Sequence, residues 1–458
     1  MRVSVFAKPL GRILSLTSAS AARSLLRATF GSGLLWLVGT CLTFLIGVQL
    51  ARHLGAEGYG VYGVAVAVVT LLGVPAQFGL INLTTREVAA ANATNDMPRL
   101  SGILRTFSAT TLICSVCVGI LAAIVITAWP GQLSPGLHRS LLIALLLLPL
   151  FAFSAQVGAW LRGFERTVLG QAVEVLFRPA LFLLVLFLVP LLTHTALTPA
   201  LALGLQAAAV FVIVAVTMVL IWLRLPAAVR KGPSRSSPKA WFRAAMPMMF
   251  TEGMRQLDGT YGVLLVAALA TTSDAGLYRV ALSSMALATA PISLINLVIS
   301  PFVAKFYARG DRRQLQLLVT GAAVFMSAGA GGVVLVFAVF GHWALGTFFG
   351  AEFAAAQPLL IVLCLAQLVA GLFGPSAMVM TMIGRERIVA ISYLISVVCS
   401  IAVAAVLVPR VGAIGAAFAY LMGNVIRGVI MNIYAFRQGF DLSLFSLVRL
   451  PGLLRARG

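Results

Sequence analysis

The chain has 458 residues, 61% of them hydrophobic and only 10% charged, with a mean hydropathy of +1.04. Soluble domains carry about 45–50% apolar and about 25% charged residues, so this composition excludes a water-soluble globular enzyme and indicates an all-α polytopic membrane protein. The net charge of +21 does not imply a nucleic-acid partner, because the basic residues are distributed by membrane side rather than clustered.

Residues 1–29 form a basic N-terminal segment with Arg2, Lys8, Arg12, Arg23 and Arg27 and no acid. It has no compact apolar core before a small-residue cleavage site, so it is read as a cytoplasmic segment whose stretch 15–28 lies along the membrane surface. Twelve apolar runs follow, at 30–51, 59–81, 103–128, 140–161, 168–190, 199–223, 244–270, 277–301, 316–340, 355–381, 388–408 and 412–434. The longest connection between them, 224–243, is rich in proline, serine and basic residues and reads as a solvated linker. The expected organisation is twelve transmembrane helices in two six-helix lobes, 30–223 and 244–436, followed by a basic cytoplasmic tail, 437–458.

Of the 33 Lys and Arg, 26 fall on one predicted side, four (Arg52, Arg139, Arg279, Arg410) on the other, and three (Arg178, Arg255, Arg427) within spans. The positive-inside rule therefore predicts an inner-membrane protein with both termini cytoplasmic. Trp129, Trp160, Trp222, Trp241 and Trp343 fall at predicted span ends, where amphipathic rings favour the interface. The five cysteines all lie in apolar runs and lack a second metal-spaced pair or a nearby histidine, so they are read as packing residues.

The two halves repeat. Arg27, Gly60, Tyr62 and Pro75 correspond to Arg243, Gly276, Tyr278 and Pro291, each 216 residues later. Six spans per half make the repeats parallel, which predicts a pseudo-two-fold axis along the membrane normal and a binding cavity between the halves. The paired Pro75 and Pro291 are hinge candidates, because proline removes an intrahelical hydrogen bond.

The chemistry concentrates in a few charges inside apolar runs. Glu252, Arg255 and Asp258 fall within about 120° of helical arc, with Asp258 roughly 21 Å into span seven. Intramembrane charges face a partner or a water-filled pathway, and a structural ion cluster and a substrate route both fit this pattern. At the 216-residue offset the trio aligns with Trp36, Gly39 and Leu42, so the charges belong to one lobe, and span seven is expected to turn its charged face toward the first lobe. Glu174 and Arg178 are spaced i, i+4 on span five, close enough to pair with each other. Arg427 has no acid nearby in its own helix. Three mid-span arginines suit a phosphate-bearing substrate, since guanidinium binds phosphate oxygens in bidentate fashion. Arg27 and Arg243 stand at the mouths of spans one and seven, where they either guide an anionic headgroup or anchor the helices. No Walker-type loop or zinc-protease motif is present, and nothing points to a metal or an organic cofactor.

The segment Ala51-Arg-His-Leu-Gly-Ala-Glu-Gly-Tyr-Gly-Val-Tyr62 resembles the A-R-x-L-G-x-x-x-Y-G-x-Y signature of bacterial polysaccharide biosynthesis membrane proteins. These are the O-antigen and exopolysaccharide flippases of the multidrug/oligosaccharidyl-lipid/polysaccharide exporter superfamily. The resemblance implies two six-helix lobes around a cationic cavity. It also implies translocation of undecaprenyl-pyrophosphate-linked oligosaccharide to the periplasmic leaflet, driven by a Na⁺ or H⁺ gradient. Implied partners are that substrate, membrane lipids, and polysaccharide polymerase and chain-length machinery. On this reading Arg178, Arg255, Arg427, Arg27 and Arg243 contact substrate, while Glu252, Asp258 and Glu174 serve ion coupling. A drug or cation antiporter on the same architecture is the alternative, and a membrane polymerase a more distant one, since the outer loops are short and their acids, Glu57, Asp274 and Glu352, are scattered singly.

Overall fold

A computed structural model describes residues 19–128, 134–225, 229–230, 233–235, 238–439 and 442–444, with side chains of 19–30 and 238–240 outside the description. The first half comprises α1 (Ala19–Gln77), α2 (Leu80–Ala93), α3 (Met97–Ala128), α4 (Pro135–Ala144), α5 (Leu147–Gly163), α6 (Thr167–Ala172), a π-helical segment (Val173–Phe177), α7 (Arg178–Thr193) and α8 (Pro199–Arg224). The second comprises α9 (Pro238–Leu269), α10 (Thr272–Ala308), α11 (Arg312–Phe348), a 3₁₀ turn (Ala351–Ala356), α12 (Gln357–Leu372), α13 (Ser376–Met382), α14 (Glu386–Val411) and α15 (Ala413–Arg437).

Among the described residues, ten helices are long and apolar enough to cross a membrane. The first contains the predicted spans one and two as two arms joined at Gly55, whose left-handed φ of 67° interrupts the helix. Helix α9, which carries the charged trio, stands apart from these ten. Leu121, Leu192, Leu335 and Val339 are each more than 60% exposed, an outward apolar surface that suits lipid rather than water.

The apolar core is single at one end of the bundle and divided at the other. One cluster joins Leu50, Tyr59 and Tyr62 of the first half to Tyr261, Tyr278, Phe349 and Phe353 of the second. At the end that carries Arg86, Arg99, Lys305 and Arg385, hereafter the basic end, two further clusters appear. One is built on Leu83, Ile103, Phe107 and Trp241, the other on Val303, Val319, Met380 and Met431. The halves are thus packed together away from the basic end and separate toward it.

Their closest approach is reciprocal. A Cβ on Gly60 would collide with the Thr272 carbonyl, and one on Gly276 with the Ala56 carbonyl. Gly60 and Gly276 are 216 residues apart, and so are Ala56 and Thr272, so the same small-residue contact is made twice. Glycine at these crossings lets backbones meet without side chains between them. Arg52 reinforces the junction by donating from Nε to the Phe348 carbonyl at 2.7 Å and from its other nitrogen to Thr347. Tyr59 and Ser283 hydroxyls meet across it at 3.3 Å.

One expectation needs correction. Trp160 and Trp241 are 4% and 6% exposed and belong to the core at the basic end, whereas Trp222 and Trp343, at 59% and 64%, do face outward. Trp129 lies outside the described residues. The paired Pro75 and Pro291 both lie inside helices. Helix α10 runs through Pro291, which packs on Gly329, while the break after Pro75 falls at Phe78 and Gly79, with φ of 48° and 66°. Gly79 is required there twice over, because a Cβ would meet the Ala245 carbonyl and the Met249 backbone of α9.

Candidate functional site

A cavity of about 460 Å³ opens where the halves diverge. Helix α1 and the turn after it supply Gln77 and Gly79, α2 supplies Asn82, α8 supplies Gln206, and α9 supplies Glu252, Arg255 and Gln256. The π-helical segment and the start of α7 supply Glu174 and Arg178. Four predicted site residues from two different halves therefore share one space.

Each charge has a specific arrangement. Arg255 forks onto Glu252, with Nε 3.0 Å from Oε2 and a terminal nitrogen 2.5 Å from Oε1. Gln256 donates to the same carboxylate at 2.9 Å. The Arg255 side chain is 59% exposed, so this pair stands in the open part of the cavity and its net worth is small. Glu174 does not pair with Arg178 as its spacing predicted. It accepts from Arg162 of α5 at 3.1 Å, in a space left by Gly158. Glu174 lies in the π-helical segment Val173–Phe177, and its carboxylate is taken by a cation of the neighbouring helix. Arg178 instead lies 4.8 Å over the ring of Phe151 and makes no ion pair among the described residues. A guanidinium stacked on a ring, facing a cavity and bound to no carboxylate, with Glu174 nearby but committed to Arg162, is free to donate to an anion.

The charged trio also divides. Glu252 and Arg255 face the first half, but Asp258 turns into its own half. Its carboxylate accepts from Arg427 of α15 at 2.7 Å, with side chains 12% and 14% exposed. Arg427 donates a further bond to Asn424 Oδ1 at 2.6 Å and lies 4.5 Å over the Tyr393 ring. The six-residue step from Glu252 to Asp258 turns the helix by about 120°, enough to carry Asp258 from the cavity face to the α15 face. Arg427 borders a separate cavity of about 180 Å³, lined also by Asn296, Gln367, Tyr393 and Tyr420. Arg427 and Asp258 are therefore not in the space that holds Arg178 and Arg255.

Arg243 is exposed and is not among the cavity's lining residues. The side chain of Arg27 lies outside those described. Sequence reasoning overlooked Gln77, Gln206, Gln256 and Arg162. The glutamines were legible as amides in apolar runs, whereas Arg162 resembled an ordinary loop cation.

A family model described as polysaccharide biosynthesis protein matches residues 25–307. The chain belongs to the polysaccharide biosynthesis protein family. Its fold is that of transporters of the multidrug exporter superfamily. An inward-facing multidrug resistance transporter of that superfamily is 13% identical and gives a TM-score of 0.70 over 89% of this chain and 98% of the other. An outward-facing form gives 0.63 at 13% identity, over 91% and 97%. A superfamily transporter from Pyrococcus furiosus, described by a reversed polarity of its binding pocket that suggests a different function, gives 0.63 at 14% identity, over 90% and 95%. No curated protein matches the sequence. This family member is a multi-pass membrane protein.

Proposed function

We propose that this polysaccharide-family transporter flips an undecaprenyl-pyrophosphate-linked oligosaccharide from the cytoplasmic to the periplasmic leaflet of the inner membrane for surface polysaccharide assembly. The observation that carries the reading is the Arg178 guanidinium, which holds no salt bridge among the described residues, in a cavity between the two halves. The pyrophosphate docks on Arg178 and on Arg255, which exchanges its carboxylate partner for phosphate oxygens. The basic end is cytoplasmic in this reading, so the cavity receives substrate from the leaflet where it is made.

Coupling follows from the pairing. Glu174, Glu252 and Asp258 each hold an arginine (Arg162, Arg255 and Arg427). When an anionic substrate takes Arg255, the freed Glu252 carboxylate becomes a site for H⁺ or Na⁺. Rocking of the halves about the Gly60–Gly276 junction carries the substrate outward. The inward ion gradient acts on the return, when a cation taken up at Glu252 from the periplasmic side is released to the cytoplasm as Glu252 regains Arg255. An antiporter of organic cations needs unneutralised acids in the cavity, and both acids there are paired.

The test is complementation of a flippase-deficient strain together with surface polysaccharide staining. Wild type restores the polymer, and Arg178→Ala does not although the protein reaches the membrane. Full restoration by Arg178→Ala and Arg255→Ala alike would sink the assignment. Increased tolerance to cationic dyes without polymer would favour the antiporter.

A further inference from the structure

A further cavity, of about 290 Å³ and largely apolar but edged by cations, lies at the basic end of the first half, between α3, α5, the end of α8 and the linker residues Val229 and Arg230. It is bordered by Ser101, Arg105, Trp160, Trp222 and Arg230, and no carboxylate is among its lining residues. Three donors of these residues have no partner: Ser101 Oγ, Trp160 Nε1 and Arg230 Nε. Ser101 is wholly buried and Trp160 is 4% exposed. Buried polar groups are nearly always satisfied, so three orphaned donors around one cavity call for an acceptor. Two guanidiniums with no neighbouring acid specify that the acceptor is an anion.

The arginines are already fixed in place. Arg105 donates to the Arg230 carbonyl at 2.8 Å, and the Arg230 guanidinium lies 4.9 Å over the Trp222 ring. Trp222 and Leu223 are 59% and 61% exposed at the end of a membrane-length helix, so the cavity opens at the bilayer interface. An apolar groove of about 540 Å³ shares Ile221 and Leu225 with it and continues along Leu169, Val173, Phe177 and Leu220. A phosphate site beside an apolar groove at a membrane interface fits a lipid.

We propose that this cavity binds the phosphate headgroup of an anionic phospholipid, with an acyl chain in the adjoining groove. The headgroup bridges α3 to Arg230, and so holds the linker between the halves against the first half. The site is separate from the transport cavity and does not depend on its substrate.

Full-length protein, purified and stripped of lipid, is titrated with phosphatidylglycerol, phosphatidylcholine or inorganic phosphate, and adducts are read by native mass spectrometry. Phosphatidylglycerol is expected to bind at least tenfold more tightly than phosphatidylcholine. The double variant Arg105→Gln/Arg230→Gln loses that preference, whereas Arg309→Gln, exposed at the same end, keeps it. Trp160→Phe retains the ring while removing one donor, and weakens phosphatidylglycerol binding severalfold even if the double variant fails to fold. Equal binding of the two lipids by wild type, or undiminished preference in the variants, overturns the proposal. Adducts formed as readily by inorganic phosphate overturn the lipid assignment.

Discussion

Removing the Asp258 carboxylate tests the most enclosed charge pair in the second half. Its contact with Arg427 is 2.7 Å, and both side chains are nearly buried. At that separation the gross Coulomb attraction is about 6 kcal/mol for an effective dielectric constant of 20, and desolvation cancels much of it. Breaking one side of such a pair costs about 3–5 kcal/mol, because the remaining ion is stranded. Asn424 and Tyr393 keep partial hold of Arg427, so Asp258→Ala should fall at the lower end of that range. The double variant Asp258→Leu/Arg427→Met should recover most of the loss, since two apolar groups of similar volume need no partner. Thermal unfolding of wild type, Asp258→Leu, Arg427→Met and the double variant in one detergent gives the coupling directly. A single variant as stable as wild type, or a double variant as damaged as the sum of the singles, would refute the reasoning.

Three further outcomes follow from the geometry. Gly60→Leu should force the halves apart at the Thr272 carbonyl and cost about 1–3 kcal/mol, with loss of transport, whereas the same change at Gly136, where a Cβ meets nothing, should leave unfolding temperature and transport unchanged. Arg178→Lys should retain less transport than wild type but more than Arg178→Ala, because ammonium keeps the charge and loses the fork; uptake of a lipid-linked oligosaccharide into proteoliposomes reads this. Glu87, outside the spans, is pushed up by burial but held below the usual carboxylate range overall by hydrogen bonds and charge from Arg99 and Arg86. Its depressed folded value means that its stabilisation is complete above the ordinary glutamate range and is lost as pH falls through the lower folded value. Stability measured from neutral to acid pH should therefore fall more steeply for wild type than for Glu87→Gln, and parallel curves would remove Glu87 as a contributor.

The membrane character and the correspondence of Gly60 with Gly276 were legible in the chain. They follow from local properties: an apolar run must satisfy its own backbone hydrogen bonds in lipid, and a repeat preserves spacing. The break at Gly55 was less legible, because the segment between spans one and two stays helical on either side of it. The tryptophans failed as interface markers at Trp160 and Trp241 because position along a helix does not say which way a ring points.

The sequence by itself determined which residues carry charge inside the membrane and that Glu252, Arg255, Asp258, Glu174, Arg178 and Arg427 are few enough to matter. Only the tertiary structure decided their partners. Packing of α5 beside the π-helical segment gives Glu174 to Arg162 rather than to Arg178. A 120° turn of α9 sends Asp258 to Arg427, 169 residues away, and leaves Glu252 and Arg255 to the space between the halves. The physical reason is that a charge in an apolar medium takes its nearest opposite charge in space, and helix phase and packing, which no spacing rule specifies to within a residue, set what is nearest.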